Sequence, residues 1–352
     1  MERFGKPSAP LLDARGHLLT PAGNDPLVTR TREIYACYRA QPRRLACKIC
    51  DTRLGDPAFE KFGIPYFVCA TCQHLNGGFE DTAAFNAFLF TGDAGGETAA
   101  HYSEATREAY FRRVDDIYAP KARFLFDVLT QAGEQPARLR HADLGAGSGY
   151  FVAALRQQGV APIGYDVSPA QVELGNRMLG EPLLRLHAME QLMQVAADVE
   201  ADAVSMIFTL EHLEQPRALM SALHANSNVR YLLIAVPTVS PTMLMELVFP
   251  TVFERHLSTH THLFSDASLR FLAQATGFER IGEWWFGSDT MDLLRSVAVR
   301  LRQDGQSATA PELWTAMMRP LIDEWQLALD RRKLSSAVHL VLRKVEPGPA
   351  HG

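Results

Sequence analysis

Residues 143–151, DLGAGSGYF, restrict what this chain can become more than any other stretch. Residues 138–142 ahead of them can run as a strand, and residues 152–157 behind them have helical composition. Glycine in such a turn reaches backbone angles closed to other residues, and its missing Cβ lets a ligand lie against the main chain. The helix that follows offers unpaired N–H groups to ligand oxygens. Strand, glycine-rich turn and helix together predict a nucleotide-binding corner.

The spacing separates this corner from the dinucleotide fingerprint. Here the glycines fall as G-x-G-x-G with an acid, Asp143, two residues before the first, whereas the dinucleotide turn spaces its last two glycines wider. Asp143 can therefore face an amino-acid moiety. Residues 161–167 read as a second strand containing Gly164-Tyr165-Asp166, which puts a carboxylate within reach of both hydroxyls of a ribose. Residues 203–208 form a buried-strand run that ends at Thr209-Leu210-Glu211-His212-Leu213.

With DLGAGSGYF, GYDVSP, TLEHL, LLIAVPT and HTHLFSDASLRFLAQATGFE in this order, the chain resembles the class I S-adenosylmethionine-dependent methyltransferases over residues 124–285. The alternating β and α elements predict a parallel sheet with helices on both faces. Strands are expected at 138–144, 161–167, 183–187, 202–208, 230–236, 277–287 and 337–345. Seven strands fit the resembling α/β fold, a Rossmann-like sheet whose last strand runs antiparallel. The resemblance implies that Gly145, Gly147 and Gly149 shape the cofactor turn, that Asp143 meets the amino end of the methionine part, and that Asp166 holds the ribose. It implies Ala188 and Met189 near the adenine, with His187 in the region where the family often has an acid, and Thr209 and Leu210 beside the methionine. Between the last two strands, the Leu, Val, Trp and Met spacing of residues 288–335 reads as two or three helices. These would cap the acceptor site or form a homodimer face.

Methyl transfer is a displacement at a cationic sulfonium, so alignment supplies much of the rate. A general base helps when the acceptor is a hydroxyl or an acidic carbon. His212 is the first candidate, because histidine titrates near neutral pH; a structural histidine is the competing reading. His256, His260 and His262 form a second cluster, from which one histidine, His260 foremost, is expected to line the acceptor pocket and another to cap the helix starting near Ser265. Ser265-Asp266-Ala267-Ser268 itself has the look of a helix N-cap. Without a matched carboxylate pattern nearby, this H-x-H does not predict a metal. Residues 101–120 look helical, and Tyr102 or Tyr110 could touch cofactor or acceptor from there, with plain packing as the alternative.

Four of the five cysteines pair up as Cys47-x-x-Cys50 and Cys69-x-x-Cys72, separated by 18 residues. This spacing falls within that of a four-cysteine zinc ribbon, and a closed set of four sulfurs makes a structural Zn2+. Phe59, Phe62, Ile64, Tyr66 and Phe67 between the knuckles supply the small apolar core that such a ribbon needs. Disulfides are disfavoured, because residues 1–21 hold no apolar run with a cleavage site. No stretch approaches the ~18 apolar residues of a membrane span. A cytoplasmic enzyme is therefore expected, divided into a partly irregular segment 1–38, a ribbon 39–91, a helical linker 92–122 and a methyltransferase domain 123–352.

A net charge of −5 argues against a general nucleic-acid or anionic-membrane binder. A four-cysteine ribbon ahead of this core is similar to enzymes that methylate nucleotide-linked sugars. That resemblance implies a small sugar-containing acceptor methylated on oxygen or nitrogen. The sugar C-methyltransferases of that group carry a large C-terminal domain, which residues 286–352 do not supply. An RNA base methyltransferase with the ribbon as a substrate module is the second reading. It has Arg39, Arg43 and Arg44 in its favour, and the mixed charge of the ribbon and the missing aromatic-proline signatures against it. A non-catalytic protein that keeps the cofactor fold as a scaffold is the third, opposed by the complete glycine turn and Asp166.

Overall fold

The computed structural model describes residues 1–14, 16–90, 106–253, 256–257 and 259–346. Its strands, in chain order, are β1 (Glu2–Phe4), β2 (Phe59–Lys61), β3 (Ile64–Val68), β4 (Leu75–Gly77), β5 (His141–Leu144), β6 (Ile163–Asp166), β7 (Leu184–Leu186), β8 (Ala203–Ile207), β9 (Tyr231–Pro237), β10 (His262–Leu263), β11 (Phe278–Trp285) and β12 (Ala337–Lys344). Eight of them form the central sheet in the order β1-β11-β12-β9-β8-β5-β6-β7. The five strands β5 to β9 pair in parallel, and β12 runs antiparallel to both of its neighbours. This is a Rossmann-like α/β sheet, mostly parallel at its centre.

Alternate side chains of these strands feed two cores. Leu144, Val204, Met206, Leu232 and Ile234 pack against Leu219, Leu223, Leu269 and Leu272 of the helices Pro216–Ala225 and Asp266–Ala275. Ala203, Tyr231 and Leu233 point the other way, toward Phe124, Leu129, Tyr150 and Phe151. Each large apolar side chain buried in this way stabilises the fold by about 1.5–3 kcal/mol. Two buried faces account for the near-continuous apolar run of β9, every residue of which is buried.

The expected seven strands are eight. Glu2–Phe4 pairs in parallel with Glu283–Trp285 and covers the edge that β11 would otherwise expose. The Arg3 guanidinium lies 4.1 Å from the Trp284 ring centre, and the Met1 ammonium donates to the Ile281 carbonyl. A three-residue strand carries too little periodicity to be read from sequence. Residues 1–38, expected to be partly irregular, also hold all but the last residue of the 19-residue helix Pro21–Arg39. The Pro, Gly, Asn and Asp that suggested looseness form its first turns: Thr20 accepts the Gly23 N–H at 3.3 Å and Pro21 opens the helix.

That helix presses Ile34, Tyr35 and Tyr38 onto Ile64, Tyr66 and Leu75 of the cysteine-bearing lobe and onto Phe85 and Leu89 of the helix Ala83–Phe90. The lobe does not close on itself within residues 39–91. Its sheet runs β10-β4-β3-β2, so its last strand comes from residues 262–263. Gly77 donates its N–H to the Thr261 carbonyl at 2.9 Å. A Cβ at Gly77 would lie 2.5 Å from that carbonyl oxygen and 2.6 Å from the Tyr38 hydroxyl, so only glycine permits the approach.

Residues 107–131 form helix Arg107–Arg113, a wider π turn Val114–Tyr118 and helix Ala119–Gln131. Tyr110 is a packing residue: it is fully buried, stacks on Tyr150 and donates its hydroxyl to the Ser148 carbonyl at 2.8 Å. Tyr102 lies outside the described residues. Residues 288–335 carry three helices, Asp289–Asp304, Ala310–Met318 and Ile322–Asp330, which bury Met291, Leu294, Met318 and Ile322 against Leu12. No helix among the described residues is long and apolar enough to cross a membrane.

Candidate functional site

Beyond the C-terminal ends of β5, β6 and β8, a cavity of about 1070 Å3 opens. Ligands bind there in open α/β sheets, at the point where the strand order reverses; here that point is between β5 and β8. The glycine turn forms one wall. Gly145, Gly147 and Gly149 all take the left-handed conformation, with φ of +73°, +53° and +75°. The N–H groups of Gly145 and Ala146 both donate to the Tyr165 carbonyl, at 2.8 and 2.9 Å, which folds the turn onto the end of β6. A Cβ at Gly145 would sit 2.4 Å from the Thr209 side chain. The turn is thereby held against the corner that follows β8.

Asp166 lines the cavity and accepts two backbone N–H groups, Gly147 at 2.7 Å and Ser168 at 2.9 Å, one on each oxygen. Burial pushes its pKa up while these donors oppose the rise. Each oxygen keeps a further acceptor site. Asp143, deeper in the wall, accepts the Ser205 hydroxyl at 2.6 Å. Burial raises its carboxyl to about 7, against the pull of Ser205 and Lys121.

The structure brings Asp143, Gly145, Gly147, Asp166, Met189, Thr209, His212 and His260 to this one cavity. Three expected residues lie elsewhere. Gly149 starts the helix Tyr150–Gln157 and backs onto Leu184. Ala188 is exposed and its carbonyl faces His187 Nδ1, so that His187 and Met189 line the wall instead. Leu210 is fully buried in the core beneath β8. The shifts at Ala188 and Leu210 come from local register: in a tight turn, successive side chains point to opposite sides.

Sequence reasoning missed several wall residues. Lys121 is buried with its ammonium 4.6 Å from the Tyr118 ring centre and 4.9 Å from that of Phe208, and burial holds its pKa well below the usual lysine value. Lys6 joins it from the N-terminal segment, lowered to about 8 mainly by burial, with Asp116 opposing. Phe208 has φ +56°, an uncommon angle for an aromatic residue and a mark of a shaped site. Only long-range folding places Lys6 and Lys121 here.

At the other end of the cavity, Glu211, His212 and His260 meet. The Glu211 Oε1 atom is 4.0 Å from Nε2 of His212 and 4.0 Å from Nε2 of His260, and the two imidazoles stack with centres 5.1 Å apart. Glu211 is fully buried, neither of its oxygens has a hydrogen-bond partner among the described residues, and burial raises it to about 8. Burial also lowers His212 to about 4, helped by Lys48 and opposed by Asp81. His260 Nδ1 is tied to the His256 carbonyl at 2.7 Å. The carboxylate that the local sequence around 256–262 does not supply is Glu211, from another corner of the sheet. No histidine caps the helix Asp266–Ala275: Ser265 does, accepting the Ser268 N–H at 3.0 Å. His262 faces the cysteine lobe, with Nδ1 2.9 Å from His74 Nε2.

Cys47, Cys50, Cys69 and Cys72 converge with all four sulfurs within 4.8 Å of one another. The closest pairs are Cys47 with Cys72 at 3.6 Å and Cys50 with Cys69 at 3.4 Å, so none is a disulfide. The Cys72 thiol foremost, and the Asn76 amide, stabilise a Cys47 thiolate and hold its pKa below the usual thiol value, against the opposing effect of burial. This set could hold one metal ion.

Residues 111–282 match the family model described as a methyltransferase domain. No curated protein matches the chain. Among solved structures, it is similar to a plantazolicin methyltransferase, BpumL, in complex with S-adenosylhomocysteine (13% identity, TM-score 0.45, covering 74% of this chain and 94% of that one). It is also similar to magnesium protoporphyrin IX methyltransferase of Synechocystis PCC 6803 (16%, 0.40, 56% and 89%) and to a SAM-dependent methyltransferase of Archaeoglobus fulgidus (16%, 0.38, 63% and 94%). Residues 111–282 of this chain thus carry a methyltransferase domain.

Proposed function

We propose that this methyltransferase moves the methyl group of S-adenosylmethionine to a hydroxyl or amine of a small polar acceptor, foremost a nucleotide-linked sugar. The observation that carries this is the cavity. Its volume of about 1070 Å3 exceeds the ~300–1,000 Å3 of a pocket for one drug-sized ligand, and it runs without a break from the glycine turn to the Glu211–His212–His260 corner. One end suits the cofactor and leaves the other for an acceptor.

In this reading Asp166 uses its free acceptor sites for the ribose hydroxyls, Asp143 faces the cofactor ammonium, Met189 packs on the adenine and Thr209 borders the methionine. Gly149, Ala188 and Leu210 act only by shaping the backbone. The acceptor approaches from the side walled by Leu27, Arg30, Asn86 and His256. Its oxygen or nitrogen attacks the methyl carbon in line with the carbon–sulfur bond, and the bonding pair leaves onto sulfur, giving neutral S-adenosylhomocysteine. Alignment is the main contribution; His212 or His260 takes the proton of a hydroxyl acceptor. The four cysteines would hold a structural zinc, whose ~2.3 Å ligand bonds match sulfurs this close together. An RNA acceptor fits less well, because Arg44 is buried in ion pairs with Glu80 and Asp81 and does not present a free cation.

Calorimetric titration tests the assignment: first S-adenosylmethionine and S-adenosylhomocysteine, then nucleotide sugars and short RNA in the presence of the latter. Saturable cofactor binding with a further heat from nucleotide sugars is expected. Heat from RNA alone would replace the acceptor, and no binding of either cofactor would remove the cofactor site.

A further inference from the structure

We propose that Glu211, His212 and His260 form a site for a divalent first-row transition ion at the acceptor end of the cavity, separate from the four cysteines. Three features point there together. One candidate ligand atom from each residue lies within 4.8 Å of the others, with Glu211 Oε1 at 4.0 Å from both Nε2 atoms. An ion making the usual ~2.0–2.2 Å bonds to all three would draw these atoms closer together.

The Glu211 carboxyl is the second feature. It is 1% exposed and has no hydrogen-bond partner on either oxygen among the described residues. A carboxylate buried without a partner is disfavoured, and such groups are ordinarily paired or bound to a metal. Here it adjoins two imidazoles whose Nε2 atoms turn toward it. His212 adds a second unpartnered buried atom, Nδ1. Third, His260 is oriented as ligating histidines are: its Nδ1 is held by the His256 carbonyl at 2.7 Å, and its Nε2 lies on the Glu211 side, 4.0 Å from Oε1. His256 is itself fixed on the Thr238 carbonyl at 2.8 Å, so the orientation is anchored to the end of β9.

Two imidazoles and one carboxylate are a borderline donor set, suited to Mn2+, Fe2+, Co2+ or Zn2+. Three protein ligands leave coordination positions open, as in sites that engage substrate. His212 and His260 both line the cavity, so those positions face it. The acceptor class follows if the methyl-transfer reading holds: a molecule that offers an oxygen, or a vicinal pair of oxygens, to the ion. A hydroxyl bound in this way ionises at lower pH, which is what attack on a sulfonium needs. His212 and His260 would then serve as ligands, and a proton released by the acceptor passes to water.

The test is calorimetric titration of the purified protein, loaded with one equivalent of zinc for its four cysteines and no excess, with Mn2+ and separately with Co2+. Wild type is expected to bind one equivalent of each. Glu211→Gln, which keeps the shape of the side chain, and His260→Ala are expected to weaken that binding at least tenfold while S-adenosylhomocysteine still binds. Should His260→Ala fail to fold, Glu211→Gln decides alone, since it keeps the buried side chain's shape and removes only its capacity to become an anionic ligand. No uptake of either metal by wild type, or equal uptake by Glu211→Gln, overturns the site. Because S-adenosylhomocysteine is titrated in the same samples, loss of the metal site with cofactor binding intact leaves the methyl-transfer reading standing.

Discussion

Asp143 sits 2% exposed behind the glycine turn, held by the Ser205 hydroxyl. Its folded pKa of about 7 lies above the ordinary aspartate value, so its contribution to stability is full below about pH 3.9 and is lost as the pH rises toward 7. Asp143→Asn removes that dependence without changing shape. The cofactor-free variant should therefore be more stable than wild type at pH 8, by up to on the order of 4 kcal/mol, with a smaller gain at pH 5. Urea midpoints at the two pH values check this; no gain at pH 8 would mean that Asp143 is ionised at little cost. The same variant should bind S-adenosylmethionine at least tenfold more weakly, because the ammonium loses its counter-charge. Asp166→Ala belongs beside it. Losing both acceptor oxygens should reduce cofactor affinity more than tenfold, and unchanged affinity in calorimetry would take Asp166 out of the ribose role.

Among the elements, the join between β4 and β10 is where the cysteine lobe meets the core. Gly77→Ala drives a methyl group into the Thr261 carbonyl and the Tyr38 hydroxyl, so a loss of about 1–3 kcal/mol is expected from overpacking alone. A denaturation midpoint equal to wild type would show that the two strands part without cost. Gly145→Ala should act locally, since its Cβ meets Thr209 and φ is +73°: the turn opens, and cofactor affinity falls further than stability does. These two glycines mark what the sequence disclosed and what it did not. Gly145 was legible, because a strand, a glycine turn and an acid at fixed spacing define a local motif, and β5 to β9 and β11 to β12 follow from apolar runs of strand length. Gly77 was not legible. Its role depends on a partner 184 positions later (261 − 77), and nothing local announces that pairing. The same holds for β1, for Lys6 and Lys121 in the cavity wall, and for Glu211, whose match to His260 is a contact between two corners of the sheet. His212 and His260 were each found by residue type, and only the fold shows that they form one cluster.

At the scale of the molecule, the lobe and the core behave as one body. Cys47, Cys69 and Cys72 are buried in the same apolar cluster as Phe264, Leu269 and Trp285. Lys61 reaches Glu246 in a buried ion pair at 2.8 Å, and the Tyr35 hydroxyl bonds the Leu257 carbonyl at 3.0 Å. A ribbon tethered by a linker would unfold on its own; one that shares a sheet and a core, if it holds a metal, would on losing it loosen the cavity wall built by the helices Pro21–Arg39 and Ala83–Phe90. Metal analysis should find about one tightly held zinc per chain that Cys69→Ser abolishes, since folding and metal binding are linked in such sites. Stripping that zinc with a chelator should lower the stability of a single, shared transition by on the order of 5 kcal/mol or more, and should weaken acceptor binding more than cofactor binding. Scanning calorimetry of the zinc-loaded and stripped protein distinguishes the cases. Two separated transitions, with the larger one unmoved by the chelator, would mean that the lobe is an independent unit and that the shared core does not couple it to the site.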